Sequence, residues 1–263
     1  MNFVEKIIYM FQKEMETPKP YGWFHLMWII FIIIALFLLN KMKHNEKNLR
    51  IILFTYGIIA LILELLKQIV WSFNYDGINN TITWDYQWYA FPFQLCTTPI
   101  FVSLIYLIIK NNKIKKYLLS YLAFVTILGS FLTVIIPDSC FVDTILINIH
   151  TMWLHCGSLV VSIYLIMNNV VKLKKENLIS AFKIFLIFLV IAEILNIGIY
   201  NSGILNGETF NMFYISPYFT SILPIFNAIQ QNVPYILFLL IYIFSIFIGS
   251  IIVHLFFNFI KKN

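Results

Sequence analysis

Two side chains in this 263-residue chain have the chemistry for covalent attack at a carbonyl: the thiol of Cys96 and the imidazole of His155. A thiol with a neutral imidazole as its base is the minimal requirement for nucleophilic acyl transfer. Cys96 follows Pro92 at the start of an apolar stretch that reads as a helix, where the dipole supports negative charge on sulfur. His155 falls in the amino-terminal half of a second apolar helix running the same way, a position suited to a base. A free cysteine alone reads first as a small buried hydrophobe. The pairing with His155 sets Cys96 apart.

Further polar groups interrupt apolar stretches, where each is costly and asks for a partner. Glu64 and Lys67 are three apart on one helix face and either neutralise each other or serve a site. Gln94 precedes Cys96, His150 precedes His155, and Glu193 and Asn196 share a later stretch. Glu64 or Glu193 would orient the imidazole; Gln94, Asn196 or Asn211 would supply oxyanion donors. His25 reads as an interfacial anchor, Cys140 as inert, Cys156 as core packing and Lys183 as a snorkelling rim lysine. The three cysteines have no metal-like spacing, and no metal or cofactor is expected.

The elements that position these groups are membrane spans. The chain is 60% hydrophobic and 11% charged, with mean hydropathy +0.84, against about 25% charged in a soluble domain. A span needs about 20 apolar residues. Seven such stretches are predicted, at about 21–40, 51–71, 91–109, 117–136, 146–168, 179–200 and 234–257, giving an all-α polytopic bundle with one membrane domain over 21–263. Residues 1–20 hold Val4, Ile7, Ile8, Phe11 and Met15 at helical spacing and read as an amphipathic interfacial segment broken by Pro18 and Pro20.

Charge fixes the expected orientation. Lys41, Lys43, Lys47 and Arg50 follow the first stretch, Lys110, Lys113, Lys115 and Lys116 the third, Lys172, Lys174 and Lys175 the fifth, and Lys261 and Lys262 close the chain. Loops 72–90, 137–145 and 201–233 have no Lys or Arg, only Asp76, Asp85, Asp138, Asp143 and Glu208. Lysine and arginine stay cytoplasmic, so the amino terminus is expected outside and the carboxyl terminus inside. The net charge of +6 is thereby distributed by topology and does not form a nucleic-acid-binding face. The loop 201–233 is apolar yet broken by Pro217 and Pro224, and is expected to dip into the membrane or cap a cavity. In this orientation the polar groups of five spans fall in one outer slab, about 8–12 Å below the boundary for Cys96, Glu64 and Glu193.

Phe91-Pro92-Phe93-Gln94-Leu95-Cys96 resembles the Leu-Pro-Leu-His-Leu-Cys segment of the bacterial YwaF-like integral membrane proteins. His155 with Tyr164 nine residues on is similar to their His-Gly segment. The stretch from Asn211-Met212-Phe213-Tyr214 through Ser221-Ile222-Leu223 to Pro234-Tyr235 is similar to a third. That family is related to a eukaryotic transmembrane ether-phospholipid acyltransferase that depends on a cysteine and a histidine. The resemblance implies Cys96 as nucleophile and His155 as base. Gln94 departs from the pattern where a histidine is usual, so any role of that histidine is either lost or moved to His150, and Cys156 stands where glycine is usual. The expected activity is acyl transfer between membrane phospholipids and lysophospholipids in a bacterial cell membrane. Lipid ester hydrolysis by the same residues, and a seven-span transporter or receptor built on Glu64, Lys67 and Glu193, are the alternatives.

Overall fold

Long runs of Ile, Leu and Phe without internal proline fold as helices, because in an apolar medium only the helix satisfies every backbone group from within one segment. The structure, a computed structural model, describes residues 1–137 and 140–262; Asp138 lies outside the described residues. The helices are α1 (Phe3–Phe11), α2 (Trp23–Lys41), α3 (Glu46–Ser72), α4 (Thr98–Ile108), α5 (Asn112–Ile135), α6 (Ile145–Met167), α7 (Lys175–Asn201), α8 (Pro224–Asn232) and α9 (Tyr235–Lys262). Among the described residues six, namely α2, α3, α5, α6, α7 and α9, are long and apolar enough to cross a membrane. α5 and α6 form the buried centre, while α2 and α9 turn rows of Ile, Leu and Phe outward.

The third expected span is not one helix. Only Thr98–Ile108 is helical, about 16 Å at 1.5 Å per residue, roughly half the hydrocarbon thickness. Pro99 has no amide proton, so it fits only the first helical turn, and the helix starts after Cys96. Residues 91–97 run irregularly, with exposed carbonyls met by side chains: Thr97 Oγ1 donates to Gln94 O (2.9 Å) and Thr98 Oγ1 to Leu95 O (2.7 Å). The segment still runs the length of α3. Gln68 donates to Ala90 O at one end, and Arg50 to Leu107 O at the other; those two α3 residues lie about 27 Å apart along the axis.

A second departure is a hairpin. The expected all-α chain carries β1 (Phe73–Asp76) and β2 (Thr81–Trp84), antiparallel with Phe73 opposite Trp84. Asp76 closes its turn, accepting from the amides of Ile78 (2.8 Å) and Asn79 (3.2 Å) and from Asn79 Nδ2 (2.6 Å). These bonds hold its carboxyl below the usual carboxylate range.

The connections sort to two ends. At one, Gln12 donates to Val70 O and Phe73 O, Met15 N to Asp143 O, and Trp88 N to Glu208. At the other, Lys115 pairs with Glu46 and Lys261 donates to Ile166 O and Asn169 Oδ1. The loops poor in lysine gather at the first end and the basic loops at the second. His25 is a staple at the first end: its Nδ1 accepts from Tyr21 N (3.0 Å) and its Nε2 donates to Val134 O (3.0 Å).

Both central helices contain a π-turn, Leu122–Thr126 in α5 and Trp153–Gly157 in α6. A π-turn inserts one residue and rotates the rest of its helix by about 100°. Serines meet carbonyls at these turns: Ser162 Oγ donates to Leu122 O (2.6 Å), and Ser158 Oγ lies 2.6 Å from both Leu154 O and Ser130 Oγ. Gly157 allows the α6 turn to sit on α3; a Cβ there would stand 2.9 Å from the Tyr56 ring.

Candidate functional site

The polar residues separate into distinct clusters. The first is ionic, between α3 and α6. Glu64 is 2% exposed; its Oε1 pairs with Lys67 Nζ at 2.6 Å and accepts from Gln68 Nε2 at 2.8 Å. Its Oε2 meets His150 Nε2 at 2.7 Å. That bond fixes the imidazole, leaving His150 Nδ1 buried without a hydrogen-bond partner among the described residues. Burying these charges is costly, and the cost is offset only because each carboxylate oxygen faces a donor. Glu64 and Lys67 thus do neutralise each other, and His150 joins them.

Cys96 sits beside this cluster. It is half-buried and stands one residue before Thr97, the N-cap of α4. Its sulfur lies in electrostatic reach of Lys67 and Glu64, and of the phenols of Tyr56, Tyr121, Tyr214 and Tyr242. Tyr121 is held by Thr98, with the hydroxyls 2.6 Å apart. These four phenols belong to α3, α5, the 201–233 segment and α9.

His155 is half-buried within the α6 π-turn, in electrostatic reach of His150. Among the described residues, no hydrogen bond joins its ring to Cys96. The two residues are linked through others. Tyr56, in reach of Cys96, approaches Leu154 O (3.5 Å) and receives the Trp153 indole N–H at its carbonyl (3.4 Å).

The amides form the second cluster, and they hold backbone. Gln94 accepts from Phe213 N (2.8 Å) and donates to Asn211 O (2.9 Å). Asn196 accepts from Met212 N (2.7 Å) and donates to Met212 O (3.1 Å). Asn211 accepts from Ser216 N (2.8 Å) and donates to Phe219 O and Thr220 O. All three expected oxyanion donors are committed to the irregular segment 211–220, whose buried backbone groups have no ladder of their own. Within it Phe213 and Tyr214 are both left-handed, with φ of 58° and 59°, a conformation costing bulky residues about 1–3 kcal/mol each. The amide clamps over-determine this turn, which sets Tyr214 within electrostatic reach of Cys96. Glu193 stands at the edge of this cluster beside Asn196: its Oε1 accepts from Tyr235 at 2.5 Å, and Tyr235 also approaches Ile215 O at 2.9 Å.

Sequence reasoning missed Gln68 and the four tyrosines. Their signal was visible, since a phenol within an apolar helix must find a polar partner when buried. It was masked by the abundance of aromatics.

Residues 19–257 match the family model described as the TMEM164 family. No curated protein and no solved structure matches the chain.

Proposed function

This chain belongs to the TMEM164 family, and we propose that it is a membrane-embedded acyltransferase acting on phospholipids and lysophospholipids through Cys96. The observation that carries the reading is the setting of Cys96: a half-buried thiol in an irregular break beside a helix amino terminus, within electrostatic reach of Lys67. The resemblance of the segments around Cys96 and His155 to the YwaF-like proteins, and through them to an ether-phospholipid acyltransferase, supports it. The chain crosses the membrane seven times, six times as a full helix and once through residues 91–108, with the amino terminus and α1 outside and the carboxyl terminus in the cytoplasm. The basic and lysine-free loops favour this orientation.

In the proposed cycle the Cys96 sulfur attacks the ester carbonyl of a phospholipid while His155 takes the thiol proton. The carbonyl–oxygen bond breaks, and the lysophospholipid leaves with that proton. The hydroxyl of a second lysophospholipid then attacks the thioester, its proton passing to His155 and on to the departing thiolate. Lys67 retains N–H donors beyond its bond to Glu64 and supplies positive charge near the developing oxyanion. Glu64 and His150 fix Lys67 and the environment of His155.

The test is incubation of the purified, folded chain with phospholipid labelled in its acyl chain, with and without lysophospholipid. Label in the lysolipid acceptor and a hydroxylamine-sensitive adduct on Cys96 are expected, and Cys96→Ser and His155→Ala should each abolish both. Free fatty acid alone supports hydrolysis by the same residues. No adduct and no turnover would end the catalytic reading and leave the buried Lys67–Glu64–His150 cluster as a binding or transport site.

A further inference from the structure

The basic end of the bundle, opposite Cys96, contains a cleft of about 540 Å³ between α5, α7 and the turn before α7, lined among others by Lys115, Lys116, Lys172, Lys174 and Asn177. Orientation rules call for lysines at this end but not for a cavity that collects them. Three independent features converge there. Four lysines line the cleft against one carboxylate, Glu46, which is engaged by Lys115 (3.1 Å) and by the Tyr106 hydroxyl (2.8 Å). The amino termini of α5 and α7 open at the same rim; α5 is capped by Asn111, whereas α7 has no side-chain cap, so that with Asn177 N and Leu178 N bonded to Lys174 O the amides of Lys175 and Glu176 are left for another acceptor. Asn177 is 5% exposed, and its Oδ1 has no hydrogen-bond partner among the described residues. Its Nδ2 donates to Lys172 O at 2.8 Å, which fixes which atom is oxygen, because the flipped amide would set oxygen against oxygen.

A site with ammonium groups and free helix amides suits a phosphate. A buried carbonyl oxygen beside them suits a hydroxyl donor on the same ligand. We propose that this cleft binds a phosphate group carrying a neighbouring hydroxyl, the chemistry of a glycerol phosphate, either as the headgroup of phosphatidylglycerol or as a soluble phosphate ester. The phosphate sits between Lys116, Lys174 and the α7 amino terminus, and the hydroxyl donates to Asn177 Oδ1. The site is separate from the proposed acyl-transfer centre and does not depend on it.

The experiment uses the full chain in detergent. Isothermal titration with glycerol 3-phosphate and with inorganic phosphate forms the soluble arm; native mass spectrometry with phosphatidylglycerol and with phosphatidylcholine forms the lipid arm. The variant is Lys116→Gln/Lys174→Gln, both exposed residues, with thermal unfolding confirming that it is folded. Binding of glycerol 3-phosphate in preference to inorganic phosphate, weakened about tenfold or more in the variant, assigns a soluble ligand. Retention of phosphatidylglycerol alone, lost in the variant, assigns the lipid headgroup. Asn177→Ala should remove the preference for the hydroxyl-bearing ligand in whichever arm binds. Binding in neither arm, or binding equal in wild type and the folded double variant, would overturn the site. Equal affinity for glycerol 3-phosphate and inorganic phosphate would overturn the role given to Asn177.

Discussion

The ionic cluster on Glu64 and the amide cluster on Gln94, Asn196 and Asn211 are both buried, yet they solve different problems. In the first, one carboxylate meets an ammonium within α3 and an imidazole from α6, and the backbone is already satisfied by its helices. In the second, neutral amides answer the backbone of a segment that has left helical geometry. An ammonium could not replace an amide there, because each clamp must donate and accept at once. Reactive potential therefore belongs to the ionic side, where Lys67 and His150 keep unused capacity, while the amides set the shape of the loop that carries Tyr214.

The largest effect separating the two should come from Glu64→Leu, which strands a buried ammonium and should cost about 3–5 kcal/mol in denaturant unfolding. Glu64→Leu/Lys67→Met should recover most of that loss; a double variant no more stable than the single would break the ionic account. Gln94→Leu should cost less, about 2–4 kcal/mol, by orphaning Phe213 N and Asn211 O. Limited proteolysis should then cut within 209–221 before the helices, and uniform cutting would count against the clamp.

Tyr214→Gly should change stability by no more than about 1 kcal/mol, since lost contacts offset the released left-handed strain. Its effect should fall on acyl transfer, which is expected to drop about tenfold. Smallest of all is Asp76, a carboxylate with similar bonding but no burial. Its folded form favours the ionised carboxylate, so its contribution is present above the usual carboxylate range and fades as pH falls through and below it. Asp76→Asn should remove this pH dependence from amide exchange at Ile78 and Asn79 and leave global unfolding unmoved.

The long helices were legible because the hydropathy of stretches such as 234–257 needs no tertiary information. The pairing of Glu64 with Lys67 was legible for the same reason, since three residues on a helix make neighbours. What escaped depended on local breaks. Hydropathy over 91–109 hides the stop that Pro99 imposes, so the helix is expected before Cys96, seven residues early. The π-turn holding His155 leaves no hydropathy mark, and a regular 100° step per residue therefore misplaces the side chains beyond it. Gln94, Asn196 and Asn211 were given to an oxyanion because sequence does not say which backbone groups a distant loop leaves bare.

The shortness of α4 has a mechanical consequence for the surrounding lipid. Beside full-length helices, residues 91–97 leave helical geometry at the level of half-buried Gln94 and Cys96. A bilayer meets a shortened apolar face by thinning, at a fraction of a kcal/mol per Å. In the proposed orientation, thinning beside that stretch would bring the ester carbonyls of outer-leaflet lipids toward the level of the thiol. The helix break would then spare the substrate part of its climb out of the membrane, and acyl transfer would run faster in thin bilayers than in thick ones.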